Sequence, residues 1–107
     1  MKEHEVVLRI FKLINAGGDA EAELKKLGDF LTTRSQLASG VEYLSVSKIN
    51  RGDVKGLIII RGSRENALSE AELISSLVKS NFKTIDVEVV SEQSVLSNIL
   101  TSIKNFF

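Results

Sequence analysis

The sequence predicts a single α+β domain: a small mixed sheet, built from a β-hairpin and one parallel strand, covered by helices. Three observations predict it. The hydrophobic period shifts from about 3.6 in the first forty residues to two between Val41 and Arg61. The run Leu57-Ile58-Ile59-Ile60 is apolar at every position, as in a central strand covered on both faces. A strand-helix-strand succession over 54–90 requires a right-handed crossover between parallel strands. With 107 residues and neither a Gly/Ser-rich linker nor a repeat, the expected domain spans 1–107.

Taken in order, residues 5–14 read as a helix, with Val6, Val7, Ile10, Phe11, Leu13 and Ile14 on one face and Glu5, Arg9 and Lys12 on the other. A strand is the alternative. Asn15-Ala16-Gly17-Gly18 supplies a stop, because glycine reaches left-handed conformations without steric cost. Asp19 then caps a helix whose stripe is Ala20, Leu24, Leu27 and Leu31. Val41, Tyr43 and Ile49 alternate with Leu44 and Val46 in the first hairpin strand. Asn50-Arg51-Gly52-Asp53 turns the chain, and 54–61 returns. Ser69 and Glu72 form a capping-box pattern before Leu73, Ile74, Leu77 and Val78, giving a helix to about Asn81. Ile85, Val87 and Val89 inward, with Asp86 and Glu88 outward, describe a one-sided edge strand. Ser91 caps a last helix carrying Val95, Leu96, Ile99, Leu100, Ile103, Phe106 and Phe107 on one face. If 5–14 is a strand, the order becomes βαββαβ, the ferredoxin-like arrangement with an added C-terminal helix. Its own helices would cover one face only. The doubly apolar strand would then need the last helix or a second subunit on the other.

Composition narrows the function. The chain has no Cys and one His, which excludes a disulfide framework, a thiolate metal site and a thiol nucleophile, and fits a cytoplasmic setting. No apolar stretch approaches the ~20 residues of a membrane helix, and no basic-then-apolar leader opens the chain. His4 sits among Lys2, Glu3 and Glu5 near the terminus and makes a poor general base. Neither GxxxxGK[ST] nor GxGxxG occurs, so no nucleotide loop is expected. Asp86 and Glu88 could share a cation, but a charged edge face accounts for them more simply. An anion could rest on Arg61, Ser63 and Arg64 at a helix N-terminus. No metal and no cofactor are expected.

Charge is more informative by segment. Net charge is zero, yet residues 41–64 hold five cations against two acids, a balance of +3, and residues 65–107 balance at −3. Local positive potential attracts phosphate even on a neutral chain. The expected nucleic-acid contacts are therefore Lys48, Arg51, Lys55, Arg61 and Arg64, with Tyr43 as the one nearby aromatic. The stretch from Ile10 to Gly28 also resembles, in rhythm, the opening of winged-helix domains, which would make Leu37, Val41 and Leu44 the buried side of a recognition helix and the basic hairpin a wing. The last helix supplies an expected interface, Leu96, Ile99, Leu100, Ile103, Phe106 and Phe107, for self-association or a protein partner. Together these features predict a non-catalytic binding module, an accessory subunit or homo-oligomer contacting nucleic acid through the hairpin. The rival reading is a protein-interaction module using the last helix and an edge strand.

Overall fold

The structure, a computed structural model, describes residues 4–13, 18–37, 40–50 and 53–94, with side chains described as far as Val90. The element order is β1 (His4–Lys12), α1 (Ala20–Leu37), β2 (Val41–Asn50), β3 (Asp53–Gly62), α2 (Arg64–Asn81) and β4 (Ile85–Ser94). The four strands make one sheet in the order β2-β3-β1-β4, with every neighbouring pair antiparallel.

Residues 5–14 are thus not a helix, and the reason lies in β1's neighbours. β1 is an interior strand, paired with β3 on one side and β4 on the other. Val6, Leu8 and Ile10 face the helices, while Val7 is buried on the opposite side. A strand covered on both faces loses its period-two alternation and imitates a helical stripe. Insertion of β1 also corrects the expected parallel strand. β3 and β4 do run parallel through the α2 crossover, but β1 lies between them, so no parallel ladder forms. This is the βαββαβ alternative. The winged-helix rhythm fails at the same stage, because α1 ends at Leu37 and both Val41 and Leu44 belong to β2.

Local chemistry sets the remaining ends. Asp19 Oδ1 accepts from Ala22 N at 3.1 Å, capping α1 as expected. α2 starts earlier than the capping-box pattern suggests, because Ser63 is its N-cap and accepts from Asn66 N at 3.1 Å. Ser91 lies inside β4, which runs four residues further than expected. The final helix expected from Val95 onward lies outside the described residues.

Both helices pack on one sheet face. Leu27 and Leu31 of α1 and Ala67, Ala71, Ile74 and Val78 of α2 meet Val6, Leu8, Ile10, Ile58, Ile60, Ile85 and Val87. Each large apolar side chain so buried contributes roughly 1.5–3 kcal/mol. Gly56 belongs to this layer because a Cβ there would lie 2.8 Å from Ile10 Cδ1. A smaller cluster, Val7, Leu57 and Ile59 with Val46 against it, occupies the other face.

Candidate functional site

Opposed residues of an antiparallel ladder share a face, so the registers set side chains in rows across the sheet. On the face away from the helices, Lys48, Lys55, Phe11 and Asp86 form the row nearest the hairpin end. Val46, Leu57, Arg9 and Glu88 come next, then Leu44, Ile59 and Val7, and finally Glu42, Arg61 and Glu5.

These rows sort the cations that the sequence groups together. Lys48 and Lys55 are directly opposed and both exposed, and among the described residues neither has an acidic partner. Arg51 lies outside the described residues. Arg61 is six positions along β3 from Lys55, about 20 Å at ~3.3 Å per residue. There Arg61 Nη2 donates to Glu5 Oε2 at 3.2 Å, and Glu5 is only 1% exposed. Arg61 is engaged in holding a buried carboxylate. Arg64 opens α2 at that same far end of β3.

Phe11 is the residue that sequence reasoning passed over. Had 5–14 been taken as a strand, alternation alone would place Glu5, Val7, Arg9 and Phe11 on one face. The Phe11 ring stands beside Lys55, with the Arg9 guanidinium carbon 4.8 Å from its centre. Arg9 Nη2 also pairs with Glu88 at 2.6 Å, and Lys79 Nζ pairs with Asp86 at 2.7 Å. The two acids considered for a cation are therefore spent on ion pairs. Among the described residues no group of three or more His, Asp or Glu is placed to hold a metal.

Tyr43, expected as a stacking residue, faces the helices. Its hydroxyl donates to Glu70 Oε2, while Arg34 grips the same carboxylate with Nε at 2.9 Å and Nη2 at 2.6 Å. Arg34 holds the Glu70 pKa below the ordinary 4.5, against the opposing effect of burial and with further help from Tyr43. Burial, with the adjacent carboxylate, pushes the Tyr43 phenol upward. An ionised carboxylate saturated by donors is a clamp tying α1, β2 and α2 together, not a general acid. Beside it lies a cleft of about 410 Å³ lined by Gly28, Leu31, Thr32, Ser35, Tyr43, Ser45 and Ser47. Three of its hydroxyls are occupied: Tyr43 donates to Glu70, Thr32 to the Gly28 carbonyl at 3.0 Å and Ser35 to the Thr32 carbonyl at 2.7 Å.

A second clamp joins α1 to the α2–β4 connection. Glu23 accepts from Thr84 Oγ1 at 2.5 Å, Thr84 N at 2.8 Å and Lys83 N at 3.0 Å. Burial alone would raise the Glu23 pKa, but these hydrogen bonds outweigh it and lower the value. A carboxylate with a depressed folded pKa stabilises above its unfolded value and loses that contribution as pH falls through the folded one. Stability should accordingly decline below about pH 4.5 as Glu70 and Glu23 protonate. Glu70→Gln should be less stable at pH 7 and lose less on acidification, as urea unfolding at pH 7, 5 and 3 would show.

The lone histidine, His4, is half-buried in β1. Ser63, one member of the suggested anion site, has its hydroxyl engaged as the α2 cap. Among the described residues no helix is long and apolar enough to cross a membrane.

No known protein family matches the chain, and no curated protein does. Solved structures match its fold. The de novo designed protein Foldit4 is 18% identical, with 84% of this chain and 98% of that one covered and a TM-score of 0.61. The de novo designed protein LFR1 1, which has a ferredoxin fold, is 19% identical, with 92% and 94% covered and a TM-score of 0.53. A Bacillus cereus protein bearing the name of an antibiotic biosynthesis monooxygenase is 16% identical, with 92% and 97% covered and a TM-score of 0.51. Identities this low carry the fold and no more. That designed chains share the fold underlines that function must be argued from the site.

Proposed function

We propose that the protein is a small non-catalytic binding module that contacts the phosphates of nucleic acid with the hairpin end of its sheet. The observation that carries this reading is the opposed pair Lys48 and Lys55. Like charges set directly across an antiparallel ladder destabilise it, and among the described residues no acid relieves them. A phosphate between the two ammonium groups would turn that repulsion into a binding contribution. By contrast, Arg9, Arg34, Arg61 and Lys79 are each matched to a carboxylate. Arg51, which lies between these two strands in sequence, adds a third cation, and Phe11 offers ring surface in the same row. Arg61 leaves the expected set because Glu5 holds it, and Arg64 stands about 20 Å or more from the hairpin end.

Three phosphate contacts on a single strand imply a log–log salt slope near −2, so affinity for a single-stranded oligonucleotide should fall roughly 20-fold between 50 and 200 mM salt. The double variant Lys48→Ala/Lys55→Ala keeps one contact, and its slope should shrink to about −0.7. Unchanged affinity and slope in that variant would remove the proposal.

The competing module reading draws on the outer strand β4, where Val89 and Val90 are 53% and 49% exposed. Apolar edge residues favour strand pairing with another chain. Such an association would be nearly independent of salt, which separates it from phosphate binding.

A further inference from the structure

We infer that Lys79 and Asp86 form a guard on the free edge of β4 that keeps this strand from pairing with a second copy of the chain. β4 ends the sheet, and among the described residues no strand lies beyond it. An edge strand offers a row of N–H and C=O groups to any other strand. The ladder fixes which groups those are. Opposed residues of an antiparallel pair alternate between those that exchange hydrogen bonds and those whose backbone groups turn away. Leu13 N donates to the Thr84 carbonyl at 2.9 Å, so this opposition is of the bonded kind. Counting along the register from there, Phe11–Asp86 and Arg9–Glu88 are bonded, whereas Lys12–Ile85, Ile10–Val87 and Leu8–Val89 are not. Ile85, Val87 and Val89 therefore present their backbone groups to the open side.

Val87, in the middle of these three, has both groups taken. Its N–H donates to Asp86 Oδ1 at 2.7 Å and its carbonyl accepts from Lys79 Nζ at 3.3 Å, while Lys79 and Asp86 pair with each other at 2.7 Å. The two side chains come from opposite sides of the sheet: Lys79 stands on α2, in the helical layer, and Asp86 shares the other face with Phe11. They can meet only around the edge, which places the ion pair where a fifth strand would lie. Both flanks of Val87 are closed by other means. Glu23 accepts from the Lys83 and Thr84 amides just before the strand. Beyond Val89 the pairing skips Val90, since Leu8 opposes Val89 and Val7 opposes Ser91. Such an extra residue bends an edge strand and discourages straight pairing. The partner held off is a second copy, because two β4 edges related by a two-fold axis match each other without any other sequence, and each group freed at Val87 is then used twice. This inference stands independently of nucleic-acid binding, and it opposes the rival reading of β4 as an assembly edge.

Lys79→Ala/Asp86→Ala removes the guard without changing net charge. The test is sedimentation equilibrium of this variant and the parent chain over a concentration series, with amide exchange followed by NMR. The variant should self-associate at least about tenfold more tightly than the parent, because each freed group forms its bond twice in a symmetric pair. Exchange at the Val87 and Val89 amides should slow as association proceeds. Lys79→Arg, which keeps a donor and a charge at this position, should behave as the parent. Equal association of the double variant and the parent, tighter association without protection at Val87 and Val89, or concentration-dependent protection of those amides in the parent itself would each overturn the inference. Should the double variant fail to fold, Lys79→Met, which keeps the aliphatic stem and frees the Val87 carbonyl, enters the same comparison with the same outcomes.

Discussion

Arg61→Leu is expected to destabilise the protein by about 3–5 kcal/mol, the cost of leaving a buried carboxylate without its counter-charge. Glu5 is 1% exposed, and Arg61 Nη2 is its ion-pair partner across the β1–β3 ladder. The pair itself need not be strongly stabilising, since two desolvated charges recover little more than their desolvation penalty. Its removal as a unit should therefore be far milder than removal of one half. The double variant Glu5→Val/Arg61→Leu should regain most of the loss, and urea unfolding of the two variants beside the parent chain measures the difference. A single-variant loss below about 1 kcal/mol would mean that Arg61 is not the group holding Glu5, and would return it to the list of available phosphate contacts.

Ile58→Ala should cost a comparable 2–5 kcal/mol. Ile58 is fully buried on interior strand β3, in the layer packed against α1 and α2. Truncation there removes contacts on all sides, and the surrounding sheet and helices can collapse only partly into the space. Leu73→Ala provides the contrast: Leu73 is 40% exposed on α2 and should change stability by less than about 1 kcal/mol. Equal effects at the two positions would contradict the layer assignment.

Elements whose signal is local could be read from the sequence. The hairpin is announced by two alternating runs around Asn50-Arg51-Gly52-Asp53, and β3 by its doubly apolar centre. β4 reads as an edge strand from Ile85, Val87 and Val89 inward and Asp86 and Glu88 outward, and it lies at an edge with Ile85 and Val87 buried, but Val89 is exposed. What failed depended on pairing between distant segments. β1 imitates a helix because both its faces are used. The mixed sheet became fully antiparallel because nothing local to 54–90 reveals that β1 inserts there.

The site followed the same division. A +3 balance over 41–64 correctly locates cations in sequence, but strand rise carries Arg61 and Arg64 to the far end of β3 from Lys55. Glu5, which engages Arg61, is 56 positions away in sequence, and the Arg34–Glu70 pair is separated by 36. Phe11 joins Lys55 only through register. Tyr43, the one aromatic expected to stack, directs its hydroxyl to Glu70 instead, a partner 27 positions away in sequence.

The most direct test of the hairpin-end contact is an NMR titration of the isotopically labelled full chain with a short single-stranded oligonucleotide at 50 mM salt. Shift changes are predicted at Phe11, Lys48 and Lys55 and in the connecting turn, with Glu5, Arg61 and the Arg34–Glu70–Tyr43 clamp unmoved. Changes centred on Arg61 and Arg64, or none at oligonucleotide concentrations that saturate ordinary phosphate binders, would contradict the account.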